Sequence, residues 1–297
     1  MLSKKTGYAI AGLLVTGAAF AVLAKNLPTL KSTFQASSAE VSSKTSDSDR
    51  TSSETVSPTN LATKSPKKAV EVLKQKNAIE KKMKQYKKLP AGTIVDVKNF
   101  QEKQKKSMFY VSKISEDLYG RIYGKSYKKD CTVPLEQLRY IRILYVGFDE
   151  ETHVGELIVN RSIAQDVKTI FYKLYKHKYQ LEKVVLVDEY NADDNLSMAD
   201  NNTSSFNYRV VEGTTKLSKH SLGLAIDINP KINPYIHTLQ GKTVCSPENG
   251  KEFEDRTKDF PHKIDTSDYA YKLFTQYGFS WGGAWHSSKD YQHFQKD

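Results

Sequence analysis

The stretch Ser218-Lys219-His220-Ser221-Leu222-Gly223-Leu224-Ala225-Ile226-Asp227-Ile228-Asn229-Pro230 restricts this chain more than any other. Its alternation from Leu222 to Ile228 predicts a β-strand, on which successive side chains point to opposite faces. Leu224, Ile226 and Ile228 then face a core, while Ala225, Asp227 and Asn229 share the other face. A carboxylate held on a rigid strand among apolar neighbours, with His220 entering just before it, makes a pair able to ligate zinc. Gly223 and Ala225 are expected to leave room for the ion and for a substrate backbone.

A catalytic zinc takes three protein ligands and keeps one position open. The end of the chain offers a third donor, His293, in Asp290-Tyr291-Gln292-His293-Phe294, behind the compact Trp281-Gly282-Gly283-Ala284-Trp285. Asp290, three residues before His293, would face the same site and serve as general base. Spacing alone leaves a second reading open. In it, His220 and His293 are hydrogen-bonding histidines and Asp227 pairs with a basic group.

Around these segments the pattern is α+β. Leu138–Val146 and Gly155–Val159 read as strands of a hairpin around the turn Phe148–Glu151. A helix is predicted over Leu118–Tyr123, an amphipathic one over Ile163–Tyr175 and another over Tyr269–Tyr277. Val184–Val187 reads as a short buried strand and Asp188–Ser205 as a polar loop. The loop's acids lack the glycine and terminal glutamate of an EF-hand and suit solvent better than calcium. Cys131 and Cys245 exclude a disulfide-rich scaffold but leave one bridge open.

The N-terminal part has a different character. Lys4 and Lys5 precede an uncharged, mostly apolar run from Thr6 to Ala24, so residues 1–25 read as a signal peptide or signal anchor. Half of Lys31–Asn60 is Ser or Thr, too polar to offset its chain entropy by burial, and residues 26–66 read as a disordered linker. Residues 67–107 read as a lysine-rich helical spacer, with Val72, Ile79 and Tyr86 as a thin apolar stripe. The expected location is extracytoplasmic, anchored or secreted. The net charge of +11 would suit nucleic acid, but residues 61–130 carry +12 and residues 131–297 carry −3. The excess therefore belongs to the spacer, whose expected counter-ions are anionic wall polymers or lipid head groups rather than nucleic acid.

The Ser-x-His-x-x-Gly-x-Ala-x-Asp run, with Trp-Gly-Gly-x-Trp and Asp-Tyr-x-His-Phe, resembles the zinc peptidases of bacterial cell walls. This is the VanY/VanX-type D-alanyl-D-alanine peptidase family, which also holds L-alanyl-D-glutamate endopeptidases and shares a fold with the Hedgehog signalling domain. The resemblance spans residues 108–297 and takes in the polar stretch 201–209. It implies a small antiparallel sheet with flanking helices, peptidoglycan stem peptides as substrate, and Zn2+ held by His220, Asp227 and His293. Asp290 matches the general base, Arg209 the arginine that polarises the scissile carbonyl, and Ser218 a serine that contacts a ligand or substrate. Trp285 is expected in the pocket wall and His286 near substrate. The carboxypeptidases usually carry glutamate as base, and the aspartate here resembles the endopeptidases. A non-catalytic zinc-containing wall-binding module is the alternative, and it would be free to lose Asp290 and Arg209.

Overall fold

The computed structural model describes residues 66–211, 214–239 and 241–297. Residues 1–65, on which the expected export segment and nearly all of the expected linker fall, lie outside the described residues. Among the described residues, no helix is long and apolar enough to cross a membrane. Helix α1 (Pro66–Tyr86) comes first. Its residues Ile79, Met83 and Tyr86, spaced four and three apart, form one stripe of a helical surface and pack against the main core. Val70, Val72 and Leu73, farther upstream, stay exposed. Beyond the helix, Val95, Val97 and Phe100 are buried in that same core. Lysines dominate the composition of 79–107, yet its scattered apolar residues complete the core.

A buried charge fastens this junction. Arg142 is 3% exposed, and its guanidinium donates to the carbonyl oxygens of Tyr86 and Leu89 at the end of α1. The last carbonyls of a helix have no intrahelical donor, and a cation there also answers the helix dipole. Arg142 Nη1 lies 3.9 Å from Glu156, which Arg121 also pairs. Arg142→Met is expected to cost about 3 kcal/mol, the low end for a broken buried ion pair. Urea unfolding would measure it, and proteolysis should begin between residues 86 and 95.

Next come α2 (Glu102–Ser107), β1 (Tyr110–Ser112), α3 (Glu116–Ile122), β2 (Leu138–Val146), β3 (Thr152–Asn160) and α4 (Ala164–Lys176). The first three strands form an antiparallel sheet in the order β1-β2-β3. The hairpin stands as expected, with Tyr140 opposite Ile158 and with the turn closed by Gly147 N–H donating to Glu151 O at 2.9 Å. Helix α4 buries Val167, Ile170, Phe171 and Leu174, the stripe that its periodicity predicts.

Val184–Val187 is buried but forms no strand, and Val187 already begins a 3-10 turn. The side-chain amide of Asn202 takes the place of a ladder partner: Val185 N–H donates to it at 2.9 Å, and it donates to Val185 O at 3.0 Å. The expected loop 188–205 contains a 3-10 turn over 187–190 and α5 (Asp194–Ala199). Asn201, Asn202, Thr203, Ser204 and Ser205 are buried. Polarity suggested solvent for this stretch, but its polar groups are spent on internal hydrogen bonds. Its acids are engaged too: Asp188 accepts from Ser126, Asp193 caps α5 and Asp200 pairs with Lys183.

The chain continues through β4 (Ala225–Asp227), β5 (Tyr235–Leu239), β6 (Lys242–Ser246), α6 (Tyr269–Gln276), β7 (Ser280–Trp281), β8 (Lys289–Asp290) and β9 (His293–Gln295). These strands form two further antiparallel sheets, β4-β9-β7 and β6-β5-β8. The α+β class stands, with three small sheets among the described residues in place of the single one expected. Phe274 of α6 stacks on Phe294 at 4.5 Å between ring centroids, which fixes β9 to the core. Cys131 and Cys245 are free thiols.

Candidate metal centre

His220 sits in a 3-10 turn, Lys219–Leu222. Ser218 Oγ caps that turn, accepting from His220 N–H at 3.2 Å. Gly223 ends it in the left-handed region at φ 67°, where a Cβ would lie 2.6 Å from Asn160 N. Asn160 N–H donates to Gly223 O at 2.7 Å. The glycine thus permits a close approach to the end of β3 and does not make space for an ion. The strand expected over 222–228 shortens to β4 because this turn occupies its first half.

Strand β4 pairs with β9 so that Asp227 stands opposite His293. Opposite residues of an antiparallel pair project to the same side, with Cβ atoms about 5 Å apart. Register alone therefore joins two donors that are 66 positions apart. Asp227 Oδ1 lies 3.0 Å from His293 Nδ1, and Oδ2 lies 3.1 Å from His220 Nε2. The two ring nitrogens are 3.2 Å apart, and the three donors lie within 4.8 Å of one another. All three residues are buried.

The outer nitrogens fix the tautomers. His220 Nδ1–H donates to Ser205 O at 2.6 Å, which leaves Nε2 as a lone-pair donor. His293 Nε2–H donates to the Gln295 side-chain oxygen at 3.0 Å, which leaves Nδ1. Metal-bound histidines are oriented in this way. Two imidazole lone pairs and a carboxylate, inward-facing and buried, fit a divalent ion such as zinc. Burial pushes the Asp227 carboxyl up, but His220 and His293 more than reverse this and hold it well below its usual range. Burial lowers His220, and Asp227 outweighs it, so its imidazole is raised.

Asp290 reaches the same place from the third sheet, opposite Tyr235 of β5. Gly282 lets the Trp-Gly-Gly turn pack beneath it, since a Cβ there would lie 2.8 Å from Asp290 Cβ. Asp290 Oδ1 is buried without a hydrogen-bond partner. Burial pushes the carboxyl up to about 7, above its usual range. Arg209 pairs with Asp194 through Nη2 at 2.5 Å, and its Nε is buried without a partner.

One cleft of about 470 Å³ is lined by Arg209, Ser218, His220, Asp227, Trp285, Asp290 and His293. The Trp285 ring lies 5.4 Å from that of His293. His286 is exposed and is not part of the lining. Among the described residues, eight buried side-chain polar atoms lack a hydrogen-bond partner, and five of them, on Arg209, His237, Asp290 and Gln292, belong to residues of this cleft. Buried polar atoms are ordinarily paired, so such a concentration marks the place where a ligand completes the bonding. Sequence reasoning missed Asp194 and His237. Asp194 lay in a stretch read as loop, and His237 lies on a strand that had not been predicted.

His220, Asp227 and His293 form a buried group that could hold a metal ion, with Asp290 and Arg209 lining the same cleft. Residues 212–296 match the model of a family described as D-alanyl-D-alanine carboxypeptidase. The match takes in His220, Asp227, Trp285, Asp290 and His293 and starts just after Arg209. It supports a metallopeptidase-type enzyme and is consistent with the VanY-type resemblance read from the motifs. No curated protein and no solved structure matches the chain.

Proposed function

We propose that the chain is a zinc metallopeptidase that hydrolyses peptide bonds in peptidoglycan stem peptides, as a D-alanyl-D-alanine carboxypeptidase or an L-alanyl-D-glutamate endopeptidase. The reading rests above all on the convergence of His220, Asp227 and His293 with Asp290 and Arg209 in one cleft, in and beside the segment matched by the carboxypeptidase family. Zinc held by the three donors would supply the Lewis acidity that makes water nucleophilic near neutral pH. Asp290, a buried carboxyl pushed up to about 7, is suited to take the proton of the attacking water and return it to the leaving amine. Arg209 brings a fixed cation and an unpartnered Nε–H to the cleft, where the carbonyl oxygen gains negative charge. Asp194, which also lines the cleft, restrains that guanidinium through Nη2.

The same reading places the enzyme outside the cytoplasm behind its export segment. The lysines of α1 would meet anionic wall polymers or lipid head groups. Mass spectrometry of purified muropeptides digested by the full chain with added zinc tests the activity and chooses the bond. Loss of D-alanine marks a carboxypeptidase, and scission between alanine and glutamate marks an endopeptidase. Intact muropeptides, at full zinc occupancy, would sink the proposal.

A further inference from the structure

His237 has no place in the chemistry above, yet it lines the cleft. Both of its ring nitrogens are buried, and neither has a hydrogen-bond partner. An imidazole so placed forfeits bonds that it would keep with water, and a stable fold carries that loss where a ligand restores them. The ring is held in position, since it stacks on Tyr235 with centroids 4.4 Å apart and planes within 10°.

Strand geometry locates this ring relative to the reaction. Tyr235 stands opposite Asp290 on one side and Ser246 on the other. Residues 235 and 237 share a face by alternation. Tyr235, His237, Ser246 and Asp290 accordingly form one wall of the cleft. Two strand residues cover about 6.6 Å, and an extended peptide rises at the same rate. A peptide with its scissile unit at Asp290 and running along β5 brings the residue two positions away opposite His237. A neutral imidazole offers one donor and one acceptor, which complements a peptide unit with its own N–H and C=O.

We propose that His237 is a specificity-determining residue that hydrogen-bonds the substrate's main chain two residues from the scissile bond, so that the enzyme selects extended stem peptides over the bare scissile pair. The inference rests on the peptidase reading and deepens it. It is tested by steady-state kinetics of the zinc-loaded full chain on two probes, a synthetic stem pentapeptide and a dipeptide with the same scissile bond. His237→Phe keeps the stack on Tyr235 but loses both polar atoms. Its kcat/KM should fall about tenfold more on the pentapeptide than on the dipeptide, through KM, as befits one lost hydrogen bond. His237→Asn, which retains a donor and an acceptor, should recover part of that preference. Zinc content and melting temperature serve as controls for folding. Equal losses on both probes, or none in either variant, would overturn the assignment while leaving the peptidase reading in place. A wild-type chain that cleaves neither probe overturns both.

Discussion

Asp290→Asn should slow turnover by about 10²–10⁴-fold, the usual contribution of a positioned acid–base group, and should make the metal-free protein more stable. Both effects follow from one buried carboxyl. Its folded pKa of about 7 lies above the value of about 3.9 in an unfolded chain. Between these values the folded state holds the extra proton, so stability falls as pH rises. The penalty is absent below about pH 4 and complete above about pH 7, where it is on the order of 2–4 kcal/mol. Asparagine keeps the shape and removes the charge. His220, also raised, adds a slope of the same sign to wild type and variant alike, so the difference between their melting curves isolates Asp290. Metal content should not change. A variant that turns over at the wild-type rate would remove Asp290 from the mechanism.

His220→Ala should lose metal and activity together and should also weaken the apo fold. In the metal-free protein Asp227 stays ionised because two histidines face it. Removing one leaves a buried carboxylate half compensated, at a cost of about 3–5 kcal/mol. Elemental analysis after gel filtration reads the first effect, and urea unfolding in chelator reads the second. A full equivalent of zinc in this variant would show that the ligands had been misassigned.

What could be read from the residues follows a physical divide. The β2–β3 hairpin, α4 and α6 were legible because each carries its own periodicity over eight or more residues. The grouping of His220, Asp227, His293 and Asp290 in one cleft was legible because two short segments hold them all. The sheets β4-β9-β7 and β6-β5-β8 were not, since β7 and β8 are two residues long and exist only through their partners. Asp194 and His237 stayed hidden for the same reason: one belongs to a six-residue helix, and the other needs a strand face to point from. Val95, Val97 and Phe100 were masked by surrounding lysines, which describe the surface of that segment and say nothing of its interior.

The pairing of β4 with β9 has a consequence for how the protein comes into being. Strand β9 is the middle strand of its sheet and also bears His293. A chain whose synthesis stops short of residue 293 lacks the donor and the staple between β4 and β7 at once. Binding of an ion across Asp227 and His293 would then draw on the same free energy that closes the sheet, so that arming the site and finishing the fold become one event.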